Sequence, residues 1–106
     1  KNLETDKLIL EAVRLIYQSN GTIRIKELNE QLAISQSPFE KRFRKVVGTT
    51  AKKFASIVRF NAVLNQLKGS KSLNEICYEN NYFDQSHLIK DFKQFTGETP
   101  ENFRLF

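Results

Sequence analysis

Apolar residues recur at helical spacing in one segment of this chain after another. Leu8, Ile9, Ala12, Val13 and Ile16 form a stripe that predicts a first helix over about 6–19, closed by Asn20-Gly21. A second helix, about 25–32, buries Ile25, Leu28 and Leu32. Ser35 is a good N-cap for a third, which runs to Val47 and stops at Gly48. Thr50 caps a fourth, about 51–68, with Phe54, Ile57, Val58, Leu64 and Leu67 as its apolar residues and Gly69 at its end. Ser72-Leu73-Asn74-Glu75 reads as a capping box opening a fifth helix, about 73–80. Asp84 caps a sixth that ends at Gly97, and Thr99-Pro100 starts a short seventh. No segment alternates as a strand does, so the expected fold class is all-α with about seven helices.

Part of this pattern occurs twice. Residues 35–54 read SQSPFEKRFRKVVGTTAKKF and residues 84–103 read DQSHLIKDFKQFTGETPENF. At an offset of 49, seven of twenty positions are identical, among them Gln36/Gln85, Ser37/Ser86, Lys41/Lys90, Phe43/Phe92 and Gly48/Gly97. Two copies are too few for a solenoid. They read instead as a duplicated helix-turn-helix. One 1–106 domain then holds a first subdomain over about 6–48, a linking helix over about 51–68 and a second subdomain over about 72–106. Just upstream, Leu28-Asn29 pairs with Ile76-Cys77 at an offset of 48, so the second turn is expected to be one residue longer.

Composition narrows the class. A chain of 106 residues with 40% hydrophobic content can build a core, and no apolar run is long enough to span a bilayer. No signal peptide is evident, and the lack of any Met suggests an excised domain of something longer. A single Cys excludes an internal disulfide and fits a reducing compartment. The net charge of +5 favours a polyanionic partner only modestly, but its distribution is uneven. Residues 1–20 are net zero, 21–69 carry ten basic groups against three acidic ones, and 70–106 are net −2.

On a helical wheel the third helix turns Phe39, Phe43 and Val46 inward and Ser37, Lys41 and Arg44 outward, with Glu40 and Lys45 flanking. The sixth repeats this, with Leu88, Phe92 and Phe95 inside and Ser86, Lys90 and Lys93 outside. Hydroxyls and cations on one helical face can donate to base edges and phosphates. Such a face is also what ordinary solvation produces, and common descent alone could preserve it in both copies. Cys77, beside Ile76, reads as a small core residue. His87, the one His, is placed equally for a DNA contact or simple exposure. Asp84 and Asp91 look like a cap and a flank rather than a catalytic pair. One Cys and one His far apart make no zinc site, and no Gly-rich phosphate loop occurs.

At these residues the chain resembles the AraC/XylS-type transcription regulators. The most specific stretch is Asn81-Tyr82-Phe83-Asp84-Gln85-Ser86-His87-Leu88, followed by Phe92-Lys93, Phe95, Gly97, Thr99-Pro100 and Phe103-Arg104. Leu28, Ile34-Ser35, Phe39, Phe43-Arg44-Lys45, Gly48 and Arg59 match more loosely. The resemblance implies seven helices in two bridged subdomains, with the third and sixth helices in successive major-groove segments. It also implies a bacterial cytoplasmic regulator, commonly an activator that contacts RNA polymerase, and a separate sensing or dimerising domain. Three residues depart from the family pattern. Asn81 stands in place of a Gly, which asks for a left-handed Asn. Asn29 stands in place of a small Ala. Glu40 occupies a position that often reads bases, where it could accept from cytosine N4 or repel phosphate.

The resulting expectation is sequence-specific binding of double-stranded DNA, with no cofactor, no metal and no enzymatic activity. The base-facing candidates are Gln36, Ser37, Glu40 and Lys41, with Gln85, Ser86, His87 and Lys90 in the second copy. The backbone candidates are Lys26, Arg44, Lys45, Lys52 and Lys93, with weaker support for Arg24 and Lys53. A helical protein-interaction module is the alternative. An alkyl-transfer repair protein comes third and would need Cys77 exposed and reactive.

Overall fold

A computed structural model describes residues 6–104. Its described residues form seven helices and no strand: α1 (Lys7–Gln18), α2 (Ile25–Gln31), α3 (Gln36–Val47), α4 (Ala51–Leu67), α5 (Leu73–Glu79), α6 (Gln85–Thr96) and α7 (Pro100–Arg104). The chain divides inside α4 into two compact units, Lys1–Val58 and Arg59–Phe106.

In the first unit, Ile9, Ala12 and Ile16 of α1 meet Leu28 of α2, Phe39 and Phe43 of α3, and Ala51, Ala55 and Val58 of α4. The Asp6 side chain caps α1 by accepting from the Ile9 N–H at 3.3 Å. It also receives Nε and Nη2 of Arg42 at 3.2 and 2.7 Å, which ties the start of α1 to α3. That guanidinium holds the Asp6 carboxyl below the usual carboxylate range. Between α1 and α2 the backbone turns left-handed at Asn20 and Gly21. The Ser19 hydroxyl steadies this turn, donating to Ile16 O and accepting from Ile23 N.

The second unit packs Val63 and Leu67 of α4 against Ile76, Cys77, Tyr82, Leu88 and Phe92. The capping box of Ser72 and Glu75 forms in both directions, at 3.2 and 2.9 Å. Buried Asn80 donates through Nδ2 to Gln66 Oε1 and to Ile76 O. The C-terminus of α4 has no basic residue in its last turn. Arg104 of α7 supplies the missing donors, reaching Leu67 O at 3.2 Å and Lys71 O at 2.7 Å.

Several turn bonds recur in the two units. Gly48 and Gly97 are both left-handed C-caps, at φ 95° and 78°, and close on Arg44 O and Lys93 O. Thr50 and Thr99 each accept, through Oγ1, from the N–H three residues on. Asn81 takes the expected left-handed conformation, φ 59°, and Ala33 takes it at the equivalent place, φ 54°. Two details of the sequence reading change. Ser35 stands at the N-cap of α3 with extended backbone but makes no side-chain capping bond. Ile57, one of the apolar residues read for α4, is 37% exposed, whereas Val63 and Phe60, which were not among them, are respectively fully buried and packed against the second core.

Candidate nucleic-acid interface

Both α3 and α6 turn a phenylalanine stripe inward and a polar stripe outward. On α3, Phe39 and Phe43 are buried, while Gln36, Ser37, Lys41, Arg44 and Lys45 are exposed. Lys26 of α2 and Lys52 of α4 are exposed as well. An open groove of about 620 Å³ runs along the turn between α2 and α3 and is lined in part by Lys26, Asn29 and Gln36. Within it the Asn29 Nδ2 atom is buried and has no hydrogen-bond partner, a cost that a small apolar residue would not carry.

Glu40 behaves differently from its neighbours. It is half-buried, and its Oε1 lies 3.5 Å from the Ala51 N–H at the start of α4. A carboxylate at a helix N-terminus complements the dipole there. One of its carboxylate oxygens is therefore turned toward the start of α4.

On α6, Ser86, His87, Lys90 and Lys93 are exposed and Gln85 is half-buried. Asp84 caps the helix through the His87 N–H at 2.9 Å. The His87 ring stands edge-on to Tyr82, with centroids 5.1 Å apart. The Gln85 amide donates through Nε2 to Asn74 Oδ1 at 2.7 Å, so α5 fixes its orientation. Spacing alone gives no sign of that link, because Asn74 lies eleven residues upstream.

Asp91 is tied into the unit's interior edge. Its Oδ2 accepts from the Tyr82 hydroxyl and from Arg59 Nη2, both at 3.1 Å. The Arg59 guanidinium also lies over the Tyr82 ring, 4.6 Å from the centroid. Burial pushes the Tyr82 phenol up to about 12, so it stays a neutral donor to Asp91. The acid on this face of α6 is thus neutralised locally.

Among the described residues the ion pairs are Arg14–Glu11, Arg42–Asp6, Arg59–Asp91 and Lys71–Glu79. None of them uses Lys26, Lys41, Arg44, Lys45, Lys52, Lys90 or Lys93. The outward cations of both stripes are left without an acidic partner. By unit, residues 1–58 hold eleven basic and six acidic groups, and residues 59–106 hold six of each, so the first unit carries the whole net charge of +5.

Cys77 is buried, and burial raises its thiol pKa, which removes the exposed reactive sulfur that an alkyl-transfer reaction needs. No group of three or more His, Cys, Asp and Glu side chains among the described residues is placed to hold a metal ion. No helix among them is long and apolar enough to cross a membrane.

Residues 28–105 match a family model described as a helix-turn-helix domain. The Msm operon regulatory protein of Streptococcus mutans is 27% identical over 97% of this chain, which spans 38% of that protein. An uncharacterised HTH-type transcriptional regulator of Staphylococcus aureus is 25% identical over 77% of the chain and 11% of its own length. The chain therefore spans well under half the length of these relatives. Its fold is similar to that of the xylose-binding transcription activator XylR, with a TM-score of 0.80 at 24% identity over 98% of this chain and 28% of that one. With a family match that covers most of the chain, and two helix-turn-helix units each presenting unpaired cations, the chain belongs to the helix-turn-helix domains of the AraC/XylS type, DNA-binding modules of transcription regulation and not enzymes.

Proposed function

We propose that this domain binds duplex DNA sequence-specifically, with α3 and α6 as recognition helices in the major groove. The observation that carries the reading is the repeated outer stripe, exposed in both units and free of ion pairs. Gln36, Ser37 and Lys41 of α3 and Gln85, Ser86, His87 and Lys90 of α6 are assigned to base edges. Lys26, Arg44, Lys45, Lys52 and Lys93 are assigned to phosphates, with Arg24 and Lys53 beside them. Glu40, which began among the base-facing candidates, is assigned instead to positioning α3 against the start of α4, since its carboxylate is directed there.

The relatives are longer regulators, one of them an operon regulatory protein, and the protein of similar fold, XylR, is a transcription activator. We extend the reading accordingly. The domain acts in a bacterial cytoplasm, alongside a separate sensing or dimerising domain, and activates transcription through contact with RNA polymerase.

Selection from a random duplex pool, followed by titration of the winning site against salt, tests the core of this proposal. A steep fall of affinity with salt and a preferred sequence support it. A shallow slope with no preference points to a protein-interaction module instead. Within that experiment, Lys41→Ala is expected to cost roughly 1–3 kcal/mol on the selected site if the lysine reads a base. Uniform weakening on all sequences, with a flatter salt slope, would move Lys41 to a phosphate. Unchanged affinity would remove α3 from recognition.

A further inference from the structure

The second helix-turn-helix contains one residue that the first lacks, and the backbone hydrogen bonds identify it. Leu32 N to Leu28 O corresponds to Asn80 N to Ile76 O, and Ile34 N to Asn29 O corresponds to Tyr82 N to Cys77 O, all at an offset of 48. The next equivalent bonds, Phe39 N to Ser35 O and Leu88 N to Asp84 O, stand at an offset of 49. The register changes between Tyr82 and Asp84, so the inserted residue is Phe83.

Its placement is unusual for a phenylalanine. Tyr82 before it is buried in the core at 7% exposure, whereas Phe83 is 92% exposed. It directly precedes the N-cap of α6, and its N–H lies 3.5 Å from His87 Nδ1. Its solvent-exposed ring thus sits immediately before α6 in the chain, the helix whose first turn presents Ser86 and His87, with Lys90 one turn further along. Asp84, the next residue in the chain, is committed to the His87 N–H. Burying an apolar ring that the fold leaves in water is a source of affinity for whatever covers it. At the start of a recognition helix the apolar feature that duplex DNA presents in the major groove is the thymine 5-methyl group.

We infer that Phe83 is a specificity-determining residue of the second unit, its ring packing on the 5-methyl group of a thymine in the DNA segment that α6 engages. This inference rests on the DNA-binding reading above. The first unit has no equivalent residue, so thymine selection of this kind belongs to the second unit alone.

The test takes a duplex selected from a random pool and replaces its thymines one at a time with deoxyuridine, which removes only the methyl. Wild-type protein should lose about fourfold in affinity at one thymine, the effect of one buried methyl group. Phe83→Ala should bind the unmodified duplex about fourfold or more weakly and be indifferent to deoxyuridine at that thymine, while other methyl effects persist. The substituted side chain is exposed, so the variant should unfold at the wild-type temperature. Four outcomes would overturn the inference: Phe83→Ala binding as tightly as wild type, which would leave the ring to a protein partner; a methyl effect that survives in Phe83→Ala; a weaker Phe83→Ala with no methyl effect in wild type; or a selected site without thymine. If wild type prefers no duplex over random DNA, the DNA-binding reading falls first and this one with it.

Discussion

At the scale of single residues, the duplication makes pairs of positions comparable. Phe43 and Phe92 are both fully buried, and each touches further aromatic rings, Phe39 and Phe54 in one unit and Phe60 and Phe103 in the other. Phe→Ala at either should cost about 3–5 kcal/mol, and urea unfolding measures it. A loss below about 1 kcal/mol at both sites would contradict their role as anchors. Ala33 and Asn81 are a second pair, both left-handed. In both the Cβ crowds the following carbonyl, but Asn tolerates the conformation better than Ala because its short polar side chain can hydrogen-bond locally. Ala33→Gly relieves roughly 1–2 kcal/mol of strain and gives back about 0.4–1 kcal/mol to the entropy of the unfolded chain, so it is expected to stabilise the first unit by about 0.5–1 kcal/mol net. A lower urea midpoint for the variant would show that the turn is not strained. The asparagine at 81 asks for this conformation in the sequence itself. Nothing in the sequence marks Ala33, except that it stands where the repeat places Asn81.

At the scale of helices, the ends were readable because local chemistry sets them. Asp6, Ser72, Asp84, Thr99, Gly48 and Gly97 all act within three or four residues of where they stand. What was not readable is every bond between helices. Arg104 closing α4, Asn74 holding Gln85, and Arg59 with Tyr82 holding Asp91 all span eight or more residues, and their partners become neighbours only once the core has packed. The same limit explains Glu40, which the family resemblance put at a base-reading position while packing brings one of its carboxylate oxygens to the start of α4. Asp6 shows how a cap and an inter-helix bond combine. The Arg42 guanidinium lowers the Asp6 pKa, so their pairing contributes stability above the unfolded pKa of about 4 and loses it as pH falls through the lower folded value. Asp6→Asn keeps a good N-cap and removes the charge. It should cost under about 1 kcal/mol at pH 7, since Arg42 is largely exposed, and the gap to wild type should shrink toward pH 3. Unfolding midpoints at the two pH values decide it; a gap that widens in acid would be the wrong sign.

At the scale of the whole molecule, the two units share a design and differ in charge. The first carries net +5 and the second is net zero. The second unit's acids are largely occupied: Asp91 by Arg59, Glu79 by Lys71, Asp84 and Glu75 at helix caps. Net charge alone therefore understates what α6 offers, and the better measure is the number of exposed cations without an acidic partner. The proposed DNA face has Lys26, Lys41, Arg44, Lys45 and Lys52 in the first unit and Lys90 and Lys93 in the second. Counterion release gives a slope of roughly −0.9 per phosphate neutralised on duplex DNA. The first unit should then supply most of the affinity and most of the salt dependence. The second should add selectivity through Gln85, Ser86, His87 and Lys90. Helix termini and backbone amides work against this asymmetry, because they bind phosphate without net charge and α6 has an N-terminus of its own. The deciding measurement is the salt slope on one selected duplex for Arg44→Ala/Lys45→Ala and for Lys90→Ala/Lys93→Ala. The first pair is expected to flatten the slope by about 2, at close to one phosphate per cation, and the second by about half as much, because Lys93 is assigned to a phosphate and Lys90 to a base edge. Equal flattening would mean that both helices grip the backbone alike and that the difference in charge has no bearing on how the units divide the DNA.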